Sequence, residues 1–410
     1  MEFFEKYKKI ILVVGFLIIT GLIAFAIYST FFQAVPTEPE PSEEPSTPEG
    51  GLPTAEEGEG QIIEEEDDEE VTFPQETTEP ISEIAQGGLT KVTKLNDTTT
   101  SNPSLSQNGS DLKYYNPETG QFYTIDKNGN IKILTEKVFH NVDEVVWSPA
   151  DNKAILEYPD GSNIMYNFET DKQVTLPKHW KDFDFSPEGD KLVMKSIGTS
   201  ENNRWLAISN DDGSKVTPLE HLGDKDETVY PSWSPNKQSV AMYTEGKDFD
   251  SQDVYFVGLN NENFKSTTIE GRGFDPLWSS DGEKLLYSVY SSENDYKPNL
   301  WFVNAYGEKI GTNRTNLNLE TWASKCTFSD NTSVYCAVPT SLPEASGMFK
   351  ELAERTKDNL VKIDLSSGQK KLVAIPDGTY NMSNLIVSDN GYYLYFTDNV
   401  TGRLNQIKLK

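Results

Sequence analysis

Trp147-Ser148-Pro149, Phe185-Ser186-Pro187, Trp233-Ser234-Pro235, Trp278-Ser279-Ser280, Phe328-Ser329-Asp330 and Val387-Ser388-Asp389 are six versions of one phrase. They recur at intervals of 38 to 59 residues, and a degenerate seventh, Leu105-Ser106-Gln107, precedes them. Each is followed by a Gly/Asn/Asp turn and a short alternating apolar segment. Self-similarity at this period marks a repeat architecture. In one copy, Lys181 to Phe185 reads as a first strand and Ser186-Pro187-Glu188-Gly189-Asp190 as its turn. Pro presets φ in such a turn and Gly accepts the left-handed position. Leu192 and Met194, then Trp205 and Ala207, carry the period of two expected of a second and a third strand. Asp211-Asp212-Gly213 turns the chain into a fourth, Lys215 to Leu219. The copy at Trp278 reads likewise, ending on Lys309 to Thr312. Four antiparallel strands that cannot bury both faces alone make a propeller blade.

The fold class is therefore all-β, a β-propeller. Seven anchors imply seven blades, with six as the alternative if residues 89–140 are an irregular lead-in. The last copy supplies only three strands, ending on Leu404 to Leu409. Leu89 to Leu95 reads as the missing fourth, which would close the ring and remove an exposed sheet edge.

The pattern (W/F)-S-P-x-G-x-x-L at blade period resembles the propeller repeats of the TolB-like family, over about residues 89–410. Similar repeats build the non-catalytic propeller of prolyl oligopeptidases. The pattern departs at Gln107, Asp330 and Asp389, which stand where the turn proline belongs. WD40-like repeats are a weaker match, because Gly-His and Trp-Asp pairs are missing at the required offsets. The resemblance implies a fold and leaves the function open.

Residues 10–32 form an uncharged run of 23 residues, long enough at about 1.5 Å per residue to cross a hydrocarbon core. Lys6, Lys8 and Lys9 precede it and no Lys or Arg follows until Lys91. The positive-inside rule then predicts a short cytoplasmic tail (1–9), a single transmembrane helix (10–32) and an extracytoplasmic remainder. A cleaved signal peptide would carry a shorter apolar region. Residues 33–88 hold 18 acidic residues, eight prolines and no basic residue, the composition of a disordered, self-repelling stalk. Of the net charge of −29, −18 lies in the stalk and +1 before it, which leaves −12 on the propeller. Nucleic acid is a poor partner for such a domain.

Catalytic signatures are missing. There is no Gly-x-Ser-x-Gly elbow, no phosphate-cradling loop and no His-Glu-x-x-His. Three scattered histidines and two cysteines give no metal-ligand spacing and no cofactor is implied. Cys326 and Cys336 flank a short hairpin and point to one face, as a disulfide or as two buried thiols.

Binding is read from loop length. The connection between second and third strands is long in the fourth, fifth and sixth copies, at 245–252, 290–298 and 339–358. The last reads as a helix over 342–356. Ser341 and Glu344 suit a capping box, Pro343 suits the first turn, and Ala345, Met348, Phe349 and Leu352 form an apolar stripe. The stripe packs on a neighbouring blade or, with Phe249, Tyr290 and Tyr296, makes a recognition surface. The expected function is a membrane-anchored, extracytoplasmic module that binds a protein or polysaccharide at the cell envelope. A hydrolase or lyase acting on glycans or peptides at the channel is the alternative.

Overall fold

The computed structural model describes residues 80–410, apart from Asn261 and Asn263, together with Ile19 and Thr20. The expected membrane segment and almost all of the stalk lie outside the described residues, and no described helix is long and apolar enough to cross a membrane. Residues 82–88, which composition assigns to the stalk, are bonded to the propeller (Ala85 N–H to the Lys408 carbonyl, 2.9 Å; Gly87 N–H to that of Val373, 2.8 Å).

Seven sheets follow one another along the chain. Blade one spans Ser101–Ile133, blade two Glu144–Leu176, blade three Trp180–His221 and blade four Val229–Glu270. Blade five spans Arg272–Asn316, blade six Cys326–Pro376 and blade seven Met382–Lys408. The first strands of neighbouring blades approach one another, so they line the axis. Seven clusters of buried apolar residues fill the seven interfaces, the last joining Tyr395 and Leu404 of blade seven to Leu112 and Ile125 of blade one. Second strands serve two interfaces at once. Ala154 and Leu156 face blade one while Ile155 faces blade three. This is why such strands read as unbroken apolar runs: successive side chains point to opposite faces and both faces are buried.

The serine of the repeated phrase has a structural job. Ser279 is wholly buried; its Oγ accepts the N–H of Lys284 (2.9 Å) and donates to Asp281 (2.6 Å). Ser186, Ser234 and Ser388 accept the same i+5 amide in their own turns. A hydroxyl thus satisfies the buried turn amide that the hairpin leaves unpaired.

Closure differs from the single strand expected at Leu89–Leu95. Leu89–Thr90 adds in parallel to the outer edge of blade six, with Leu89 opposite Ile375. The chain then crosses at Lys91, and Val92–Lys94 adds antiparallel to blade seven, with Val92 opposite Ile407. One segment therefore covers the free edges of two blades. The expected fourth strand at Lys309–Thr312 is also corrected. Those residues turn, with Thr312 N–H donating to the Lys309 carbonyl at 3.0 Å, and the strand is Thr315–Asn316. Cys326 and Cys336 are directly opposed in the register of blade six and are disulfide-bonded.

Candidate functional site

The channel-lining strands of blades one, three, five and seven each carry a register shift. At three of these shifts a non-glycine residue takes left-handed backbone: Asn102 (φ 45°), Asp182 (φ 54°) and Asn384 (φ 48°). Asn and Asp tolerate this region best, and a bulge re-aims the side chains beside it.

Above blades four to six, the three long loops lock together. In blade four, Asp250 receives the N–H (2.9 Å) and hydroxyl (2.6 Å) of Ser292 in blade five. Phe249 meets Tyr296 edge to face at 6.2 Å. Asp295 (φ 50°) and Tyr296 (φ 53°) reverse the backbone, and the insert of blade six uses the carbonyls so presented. Ala345 N–H donates to Asp295 and Gly347 N–H to Tyr296, both at 2.8 Å.

This docking explains why the helix expected over 342–356 does not form. Ala345 is left-handed (φ 62°) and its amide serves blade five, so only one turn of 3-10 helix, Lys350–Ala353, survives. Tertiary partners have displaced the i−4 carbonyls that a helix needs. The packed-stripe alternative is corrected too. Met348, Phe349 and Leu352 are 43 %, 56 % and 50 % exposed, and Phe249 is 70 % exposed. Tyr290 is instead a packing residue: a Cβ on Gly347 would lie 2.6 Å from its own Cβ.

Beside the insert, Trp322, Lys325, Lys350, Asn381, Asn384 and Asn399 help line a cleft of about 280 Å³. Its floor is a buried polar network. Lys325 donates to Asp358 (2.7 Å) and to Asn381 (3.0 Å). Asp358 also receives the Met382 N–H (2.6 Å), and Asn381 donates to the carbonyl of Ala353 in the insert (2.6 Å). Burial lowers the Lys325 pKa and raises that of Asp358, and their mutual attraction opposes both shifts. The network joins blade six, its insert and blade seven.

Across the channel mouth a carboxylate pair appears that the sequence did not single out. Glu144 and Glu157 are directly opposed in blade two, and Asp182 of blade three lines the same cleft of about 430 Å³. Burial, followed by the charges of Glu144 and Asp182, pushes Glu157 up to about 7. Glu144 is raised by burial and by Asp182 and Asp143. The signal lay in the register, which pairs residues thirteen apart in the chain and emerges only once the hairpin is drawn.

No protein-family model and no curated protein matches the sequence. Solved structures do. An oligogalacturonate lyase in complex with manganese is 14 % identical, with a TM-score of 0.52 over 78 % of this chain and 93 % of that one. Hydrazine synthase of Kuenenia stuttgartiensis is 12 % identical, with a TM-score of 0.52 over 77 % and 97 %. TolB from Acinetobacter baumannii is 14 % identical, with a TM-score of 0.43 over 65 % and 66 %. The chain is a seven-bladed β-propeller, and the likeness at this identity is one of fold. The fold hosts unrelated activities, so function must be argued from the site.

Proposed function

We propose that this chain is a membrane-tethered, extracytoplasmic module that holds a protein partner at the cell envelope through the rim over blades four to six. One observation carries the reading: Phe249, Met348, Phe349 and Leu352 stand exposed on loops that are hydrogen-bonded to one another. Large apolar side chains on a preorganised support lose little entropy on binding, and they are the anchors that interfaces use. The apolar run at 10–32 and the acidic segment after it support the tether.

The test is photo-crosslinking of the tagged full-length chain in its own membranes. Substituting Phe249, Met348 and Phe349 with Ala should reduce recovery of the crosslinked partner at least about fivefold, the effect of roughly 1 kcal/mol at a hot spot. Unchanged recovery, with circular dichroism intact, would remove the rim from the function.

A second reading, a glycan or peptide hydrolase or lyase, draws on Glu144 and Glu157. Two opposed carboxylates, both raised by burial and by neighbouring acids, are the kind of groups that acid–base chemistry uses. Turnover of a glycan or peptide library that disappears in Glu157→Gln would favour it.

A further inference from the structure

On the face opposite the rim, where blade seven meets blade one, Lys127, Lys408, Lys410, Asn390, Tyr392 and Tyr393 line a concavity of about 520 Å³. Lys127 stands in the turn between the third and fourth strands of blade one. Asn390 and Tyr392 belong to the turn that follows the repeated phrase in blade seven, and Lys408 ends its third strand. No acidic side chain lines the concavity, and among the described residues no Asp or Glu forms an ion pair with Lys127, Lys408 or Lys410.

The neighbouring acids are occupied elsewhere. Asp126 caps its own turn, accepting from the amides of Asn128 (2.8 Å) and Asn130 (2.9 Å) and from the Asn130 side chain (2.8 Å). Asp389 turns its carboxylate onto Gly109. Lys410 has its Nζ 3.2 Å from where a Cβ on Gly391 would sit, so the glycine leaves that ammonium its place. Lys127 lies over the ring of Tyr393 at 5.8 Å, and Tyr392 is 49 % exposed. Three lysines with no acidic side chain among them make the concavity positive, and on a domain of net charge −12 the grouping is against the prevailing sign. A bound anion would meet that positive charge, and an open aromatic face beside it suits a flat ring or sugar face.

We propose that this concavity binds an anionic polymer bearing carboxylate or phosphate groups, the lysines meeting the charges and Tyr392 the residue between them. The site is separate from the rim and does not depend on the reading given to it.

Titration of the full-length chain in detergent with alginate (carboxylate), inorganic polyphosphate (phosphate) and dextran (neutral) tests it, at low and at physiological salt. At least one polyanion should bind, more weakly as salt rises, while dextran should not. The double variant Lys127→Gln/Lys408→Gln should bind at least about tenfold more weakly, because two direct charge contacts are lost. The control Lys178→Gln/Lys265→Gln changes net charge equally at two remote exposed lysines and should leave affinity unchanged. Alginate binding weakened by Tyr392→Ala assigns a carboxylated sugar; polyphosphate binding indifferent to Tyr392→Ala assigns a phosphate chain. The proposal is overturned if neither polyanion binds at low salt, or if the concavity variant and the control lose affinity equally.

Discussion

The backbone N–H of Gly347, in the insert of blade six, donates to the carbonyl of Tyr296, in blade five, at 2.8 Å. A Cβ at Gly347 would stand 2.6 Å from both that carbonyl oxygen and the Cβ of Tyr290. Neither atom belongs to a flexible side-chain end, so the insert itself must move. Gly347→Val should therefore detach the insert, and limited proteolysis should cut within residues 348–357 much faster than in the parent. The propeller core should melt within a few degrees of the parent, because the substituted position contributes no blade packing. An unchanged cleavage rate would show that the insert is held from elsewhere.

The repeated serines give a paired comparison. The Ser279 hydroxyl bonds to both Lys284 N–H and Asp281, whereas that of Ser148 is buried without a partner. Ser279→Ala should cost about 1–2 kcal/mol, since it leaves a buried amide unpaired, and Ser148→Ala well under that. Chemical denaturation of the two variants measures the difference; equal losses would argue that the hydroxyl is not what holds the turn.

Ring closure predicts a step in stability between two truncations. A variant lacking residues 1–79 keeps both edge strands and should melt like the full chain. One lacking 1–97 exposes the outer edges of blades six and seven, and its Tm should fall on the order of 10 °C. Matching melting curves would mean that the stitch adds nothing.

Glu157 links stability to pH. Its folded pKa of about 7 lies above the ordinary 4.5, so the folded state binds the proton more tightly than the unfolded one. The native state is therefore favoured by protonation, and this advantage fades as pH rises from about 4.5 through 7. Glu157→Gln should raise stability at pH 8, by on the order of 1 kcal/mol once partial solvent screening is allowed for, and should change little at pH 4. Melting scans at the two pH values check it; a gain confined to pH 4 would reverse the sign.

The buried Lys325–Asp358 pair should show the asymmetry of a desolvated ion pair. Lys325→Met alone strands a fully buried carboxylate and should cost about 3–5 kcal/mol. Adding Asp358→Leu should recover much of that in denaturation, while the insert loosens because Asn381 loses its Lys325 contact. Failure of the double variant to recover stability would make the pair a positive contributor in its own right.

The sequence by itself determined the repeat and the four-stranded blade and favoured seven blades over six, because each blade's pattern is local; the seven sheets of the structure decided the count. An apolar anchor, a serine that in four blades caps its own turn and a period of two act within a few residues. It also marked the sector of rim where Phe249, Tyr296 and the insert meet, since loop length is written in the spacing. The tertiary structure alone decided what those loops became. The stripe at Ala345–Leu352 has helical spacing, but the carbonyls of Asp295 and Tyr296, some fifty residues away, take the amides a helix would use. The split of Leu89–Lys94 between two blades depends on two edges that exist only after the ring has formed. The Glu144–Glu157 pair and the lysines around Tyr392 are likewise products of register and ring closure, which join residues the chain keeps apart. Strand patterns are short-range chemistry; sites on a propeller are made by the meeting of blades.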